Sequence, residues 1–193
     1  MPHDIILAST SPYRRQLLER LGLPFTAVAP DCDEAAAKQR IRDPLTLAET
    51  LAEAKARSVA QLHPAALVIG SDQVVALEDD ILGKPGSAAA AQAQLARLAG
   101  RSHRLITAMA VINAGQVWRH SDVTTMHMRP LDGAAIARYV ACDQPLDCAG
   151  AYKLEERGIA LFTTIDSADH TAITGLPLLA LVNHLAALGY ALP

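Results

Sequence analysis

"DIILASTSPYRRQLLERLG", residues 4–22, sets a short apolar strand directly before an amphipathic helix. "DIILAS" is apolar without alternation, the mark of a strand buried on both faces. Ser11 is placed to cap the helix, Pro12 suits its first position, Leu17, Leu18 and Leu21 supply an apolar face, and Gly22 stops it. The spacing predicts a helix over 12–21. Arg14 and Arg15 then fall in its first turn, where the positive end of the helix dipole disfavours a cation by roughly 0.3–1 kcal/mol. Glu19, four residues after Arg15, can pair with it at the surface, whereas Arg14 has Leu18 at that offset. Two readings of Arg14 follow. The helix-start N–H groups, the Ser9 and Ser11 hydroxyls and two guanidiniums form an anion site suited to phosphate, or the arginines are a solvated helix face.

Working outward, "FTAVAP" (25–30) is a second strand, followed by "DCDEAAAKQRIRD" (31–43), dense in charge and without a clear apolar period. Residues 45–62 carry the longest helical pattern, and "ALVIGSD" (66–72) is another buried strand. "VVALEDDILGKP" (74–85) predicts a hairpin turning at Glu78-Asp79-Asp80, and residues 87–99 an Ala-rich helix closed by Gly100. Residues 103–128 alternate around Asn113-Ala114-Gly115, a second and longer hairpin. Helices are predicted over 132–142 and 178–188, with "GIALFTTI" (158–165) a strand between them. Strands joined by both helices and hairpins imply an α/β fold on a mixed sheet. There is no repeat, low-complexity tract or linker.

A chain of 193 residues at 51% hydrophobic can bury a sizeable core, and one domain over 1–193, with room for two lobes, is expected. A net charge of −3 gives no global attraction to nucleic acid or an anionic membrane, so any anion chemistry rests on a local cluster. Cys32, Cys142 and Cys148 are an odd number without CxxC spacing, as expected of reduced thiols in the cytoplasm. "MPHDIILA" lacks a basic segment and a long apolar stretch, and is expected to be a strand and not a signal peptide. The longest apolar runs fall far short of a membrane span.

Lys55 lies at the centre of a stripe formed by Ala48, Leu51, Ala52, Val59 and Leu62. A lysine so placed either snorkels outward or points at an anion. The chain holds thirteen arginines but four lysines, at 38, 55, 84 and 153, and three of the four stand in unusual contexts: mid-stripe, in "GKP" and in "AGAYKLEE". Asp72, expected at the end of "ALVIGSD", is the candidate general base or metal ligand, because ligands gather at the carboxyl ends of strands in open α/β sheets. The alternative is a turn-forming Asp. Asp31, Asp33 and Glu34, after "FTAVAP", offer a second carboxylate, and side-chain chemistry alone does not choose among them. The seven histidines show no HxH or HxxxH spacing for zinc. GxxxxGK[ST] and GxGxxG are absent, against P-loop and Rossmann readings.

These residues also carry a resemblance. "LASTSPYRRQLLERLG", "PDCDE", "EAKA", "GSDQVV", "GKP", "CAGAYKLEERGIALF" and "TAITGLPL" resemble, in order over nearly the whole chain, the Maf family of nucleoside triphosphate pyrophosphatases. The resemblance implies an elongated, twisted mixed sheet with flanking helices, two lobes around a central cleft, as in inosine triphosphate pyrophosphatases. It implies a hydrolase acting on acid anhydrides, cutting between α- and β-phosphates with a divalent cation (Mg²⁺ or Mn²⁺), and a homodimer. Position by position, Asp72 becomes the proton acceptor, Ser9, Arg14, Lys55 and Lys84 become phosphate ligands, and Glu34 joins Asp72 at the metal. Arg15 matches the motif too, with Glu19 as its competing partner.

Three positions bear on the nucleotide. In the thymidine/uridine triphosphate branch of the family, "SP" is followed by Arg, the strand Asp by Thr, and the third position is Gln. Tyr13, Gln73 and Glu155 stand there in this chain, which resembles the branch that cleaves 7-methyl-GTP, where Trp often replaces this Tyr. The chemistry agrees. N7-methylation makes the purine cationic, and a cation over an aromatic face gains ~0.5–2 kcal/mol. A carboxylate such as Glu155 can accept both N1–H and the exocyclic amine of guanine. The plainer alternatives are a surface acidic pair, Glu155 with Glu156, and an ordinary helix-start aromatic at Tyr13. The expected activity is conversion of 7-methyl-GTP to 7-methyl-GMP and pyrophosphate. The rivals are the same chemistry on dTTP and UTP, and a non-catalytic nucleotide-sensing regulator of septum formation, the role for which the family was first named.

Overall fold

The opening stretch folds as strand and helix. In the structure, a computed structural model that describes residues 3–192, β1 is Ile5–Ala8 and α1 is Pro12–Glu19. Ser11 caps α1, its hydroxyl accepting the Arg14 amide at 3.4 Å, and Pro12 occupies the first turn, where its missing N–H costs nothing. β2 (Phe25–Val28) and β3 (Leu67–Leu77) flank β1, both parallel to it. β4 (Asp80–Leu82) folds back antiparallel on β3, turning at Glu78-Asp79. β5 (Ser102–Asn113) and β6 (Gln116–Met128) form the long hairpin; Ala114 and Gly115 both have positive φ, as its two-residue turn requires. β7 (Phe162–Asp166) pairs antiparallel with β6, completing a seven-stranded mixed sheet ordered β2-β1-β3-β5-β6-β7, with β4 on β3. The α/β expectation with a mixed sheet is met.

Seven α-helices accompany the sheet among the described residues: α1, α2 (Glu34–Arg40), α3 (Pro44–Ala60), α4 (Ala88–Leu98), α5 (Gly133–Asp143), α6 (His170–Ile173) and α7 (Leu178–Ala187). Four details differ from the sequence expectation. The stretch 31–43 contains α2, a helix carried by its Asp33 cap (2.9 Å to the Ala36 amide) and good helix formers; only Ala37 is buried, so it shows no apolar period. The first part of "GIALFTTI" is a 3₁₀ turn, Arg157–Leu161, before β7 begins. The short α6 had no periodic signal. Leu62 lies in the turn beyond α3 and is 75% exposed, outside the buried stripe.

The chain divides into two compact units, residues 1–73, 107–122 and 169–193 in the first and 74–106 with 123–168 in the second. β3, β5 and β6 supply residues to both. In the first unit β1, β3 and the second half of β5 are buried on both faces, which explains their unbroken apolar runs. Ile5, Leu7, Leu67, Ile69, Met109 and Val111 pack against Leu17 and Leu18 of α1 and Leu178, Leu181 and Leu185 of α7. Ile6, Ala8, Val68, Ala110 and Ile112 face the other way, onto Ala56 and Val59 of α3. In the second unit Tyr152 packs edge-on against Phe162, with His103 beside both.

Gly70 sets how closely α3 approaches the sheet. A Cβ there would sit 2.4 Å from the Ala52 carbonyl oxygen and 2.6 Å from the Ala56 nitrogen, so α3 rests on bare backbone. Gly70→Ala is expected to destabilise the fold by about 1–3 kcal/mol through overpacking, read as a lower urea midpoint. An unchanged midpoint would contradict this contact.

Candidate active site

Asp72 does not end its strand. "ALVIGSD" and the first arm of the hairpin are one strand, β3, and Asp72 lies in its interior. The neighbour is what ends: β1 stops at Ala8, opposite Gly70, so Asp72 stands two residues past the last β1 partner. It shares Gly70's face by strand alternation, and that face carries α3. Ala52 and Ala56 press on Gly70, and Lys55, between them on the helix, reaches Asp72. Its ammonium donates to Asp72 Oδ1 at 2.6 Å and to Glu34 Oε1 at 2.9 Å. The mid-stripe lysine therefore points inward, at carboxylates.

The structure also selects among the three acids after β2. Asp33 is the cap of α2, Asp31 is exposed, and Glu34, in the first turn of α2, meets Lys55. Lys38 takes the other Glu34 oxygen at 2.9 Å. Burial works against the charged Glu34 carboxylate, but hydrogen bonds from Lys38 and Lys55 hold it down at about 2. Burial likewise favours a neutral Lys55, yet the Asp72 charge and the hydrogen bonds to Asp72 and Glu34 outweigh it and raise the amine above its ordinary value.

Cations and hydroxyls gather at the start of α1. Ser9 is buried, and its hydroxyl accepts the Ser11 amide at 3.1 Å. Arg14 Nε donates to the Gly175 carbonyl at 2.9 Å, which fixes the guanidinium plane. Burial lowers the Arg14 pKa, while the charges of Asp72 and Glu34 act to raise it, so the guanidinium is electrostatically part of the carboxylate cluster. Arg15 is instead exposed and bonded to Glu19 at 3.1 Å, the partner expected at that offset. Tyr13 is half-buried beside them on α1.

Gln73 projects from the opposite face of β3. Its amide nitrogen donates to Thr107 Oγ1 at 2.9 Å and to the Ala172 and Ile173 carbonyls, both at 3.0 Å. Ser71, on the same face, shares its one hydroxyl proton between the Ala108 and Gly175 carbonyls, at 2.8 and 2.9 Å. Residues 172–175 are thus clamped to the sheet, and the Gly175 carbonyl also receives Arg14. Asp169 secures the far side, accepting the Thr171 amide at 2.9 Å and the Leu179 amide at 2.8 Å, a remote cap for α7. The clamp leaves no mark in the sequence because backbone carbonyls are its acceptors, whereas Gly70 carries one, since a glycine inside an apolar strand signals close approach.

Ser9, Arg14, Glu34, Lys55 and Asp72 are brought together in the first unit. Lys84 and Glu155 belong to the second, both exposed, Lys84 after β4 and Glu155 in the 154–156 turn. Among the described residues no three His, Cys, Asp or Glu side chains form a metal cage. The donor set still fits a hard divalent cation, since Asp72 and Glu34 both converge on one ammonium, and Mg²⁺ commonly takes one or two protein carboxylates with phosphate and water as its other ligands.

The Maf-like protein family matches residues 4–188. The chain belongs to this family. A 7-methyl-GTP pyrophosphatase of Alkalilimnicola ehrlichii is 47% identical over 190 residues, covering 97% of this chain and 94% of the relative. A protein of the same name from Aromatoleum aromaticum is 49% identical over 191 residues, covering 98% and 97%. One from Xanthomonas oryzae pv. oryzae is 48% identical over 189 residues, 98% of each chain.

The Glu34 carboxyl sits below its ordinary 4.5, so the stability it contributes is complete above that value and is lost as pH falls toward about 2. An NMR titration should find Glu34 near 2, rising in Lys55→Met. A wild-type midpoint at the ordinary value would show that the pair does not form.

Proposed function

We propose that this chain is a nucleoside triphosphate pyrophosphatase that converts 7-methyl-GTP to 7-methyl-GMP and pyrophosphate. The observation that carries the chemistry is a buried carboxylate, Asp72, gripped at one oxygen by Lys55, with the Arg14 guanidinium acting on its charge. A sensor of nucleotides needs phosphate ligands but no base. The names of relatives at 47–49% identity support the substrate.

In the proposed reaction Lys55 holds Asp72 Oδ1, and Oδ2 takes a proton from water. The resulting hydroxide attacks the α-phosphorus, the bridging P–O bond to the β-phosphate breaks, and pyrophosphate leaves. Ser9, Arg14, Lys55 and Lys84 bind phosphate oxygens as charge shifts toward the leaving group. Arg15 contributes less, because Glu19 engages it. A divalent cation on Asp72 and Glu34 would polarise the phosphates when bound. Glu155 accepts the two donors of the guanine edge, and Tyr13 stacks on the cationic ring. Gln73 acts on specificity through the segment it clamps.

We further propose that the chain works as a single domain and as a homodimer, in keeping with its family. No helix of the described residues is long and apolar enough to cross a membrane. The three free cysteines support a reducing compartment, the cytoplasm.

The test is pyrophosphate release from 7-methyl-GTP, GTP, dTTP and UTP with Mg²⁺ or Mn²⁺, for wild type and Asp72→Asn. Wild type should favour 7-methyl-GTP, and the variant should fold but lose at least ~10²-fold in kcat, the low end for a general base. Near-wild-type turnover by Asp72→Asn would rule out its assigned role. Preference for dTTP or UTP would move the substrate to the other branch.

A further inference from the structure

The turn that carries Glu155 is anchored more firmly than a surface turn requires. Lys153 heads it, and its carbonyl accepts two amides from inside the turn, Glu156 at 3.2 Å and Gly158 at 3.0 Å. A Cβ on Gly158 would stand 2.2 Å from that carbonyl oxygen, so the turn closes only with glycine there. Two side chains of α5, one helical turn apart, hold its two ends. The Tyr139 hydroxyl accepts the Lys153 amide at 2.9 Å. Asp143 accepts the Arg157 amide on Oδ2 at 3.0 Å and the Arg157 guanidinium on Oδ1 at 3.1 Å.

Both anchors are enclosed. The Asp143 side chain is 0% exposed, whereas the Arg157 side chain that pairs with it is 68% exposed. An ordinary surface ion pair contributes little and needs no buried carboxylate. Burial, then the charge of Asp143 and a hydrogen bond with it, keep the Tyr139 phenol neutral well above its ordinary range. Tyr139 thus holds the Lys153 end of the turn, and Asp143 holds the Arg157 end. Glu155 stands between the two anchored amides, exposed and without a hydrogen bond among the described residues.

We infer that Tyr139 and Asp143 are positioning residues for substrate selection: they hold the 153–158 turn so that the Glu155 carboxylate meets a donor pair on the base in one fixed orientation. This rests on the role proposed above for Glu155. A bidentate contact tolerates little displacement of its acceptor, so an anchor that never touches the nucleotide still governs which base is accepted.

The experiment measures kcat/KM on 7-methyl-GTP and dTTP, with melting temperatures, for wild type, Glu155→Gln, Tyr139→Phe, Asp143→Ala and each anchor variant combined with Glu155→Gln. Tyr139→Phe removes the hydroxyl that accepts the Lys153 amide and keeps the ring, so the test stays open should Asp143→Ala fail to fold. Each anchor variant should lower the 7-methyl-GTP to dTTP preference by about tenfold or more, as a misplaced recognition group does. In the Glu155→Gln background the same substitutions should change the preference no further, since the residue they position is already disabled. A preference altered by Glu155→Gln but untouched by either anchor variant would overturn the inference and leave the proposed function standing. Equal losses on both substrates would reduce the anchors to a structural role and also overturn it. A wild type without preference for 7-methyl-GTP, or a Glu155→Gln variant that keeps it, would overturn both the inference and the Glu155 assignment.

Discussion

A single ammonium, Lys55 Nζ, stands between two carboxylates, and the chemistry of the first unit is arranged around it. A buried lysine is unfavourable unless its charge is matched, and a buried acid beside a second carboxylate is unfavourable unless a cation separates them. Asp72 and Glu34 come from different elements, a strand and a helix thirty-eight residues apart in sequence, and Lys55 is the residue that makes their proximity tolerable. That meeting depends in turn on Gly70. With any side chain there, α3 would ride higher on the sheet and Lys55 would no longer reach Asp72 at 2.6 Å. One missing methyl thus underlies the placement of the charge cluster.

Strand alternation separates two tasks along three consecutive residues of β3. Asp72 faces α3 and the charge cluster, while Ser71 and Gln73 face the other layer and grip the backbone of residues 172–175. The two faces are linked through Arg14, which donates to the Gly175 carbonyl and feels the charges of Asp72 and Glu34. Arg14, placed against the helix dipole, has the charges of those carboxylates acting in its favour, although burial still lowers its pKa. Arg15 has no such neighbours and settles for Glu19.

Much of this was legible in the residues. The apolar runs of β1 and β3, the Ser11-Pro12 start of α1 and the Asn113-Ala114-Gly115 turn each encode their structure locally, through burial on both faces, capping and positive φ. The lysine in the apolar stripe of α3 marked itself by its surroundings. What stayed hidden depends on contacts distant in sequence. α2 buries only Ala37 and so lacks periodicity. Nothing in "ALVIGSDQVVAL" announces that β1 will stop partnering at Gly70 while β3 runs on, which turned an expected strand end into a strand interior. The choice of Glu34 over Asp31 and Asp33 required knowing that Asp33 is spent as a helix cap. The buried anchors of the Glu155 turn, Tyr139 and Asp143, look in sequence like ordinary members of an amphipathic helix.

The central claim is that the Asp72 and Lys55 pair directs water to the phosphorus nearest the nucleoside. Turnover of 7-methyl-GTP in water labelled with heavy oxygen, followed by mass spectrometry of the products, tests this most directly. Attack at the α-phosphorus places one labelled oxygen in 7-methyl-GMP and leaves pyrophosphate unlabelled. Label found in pyrophosphate, or release of orthophosphate in its place, would contradict the account.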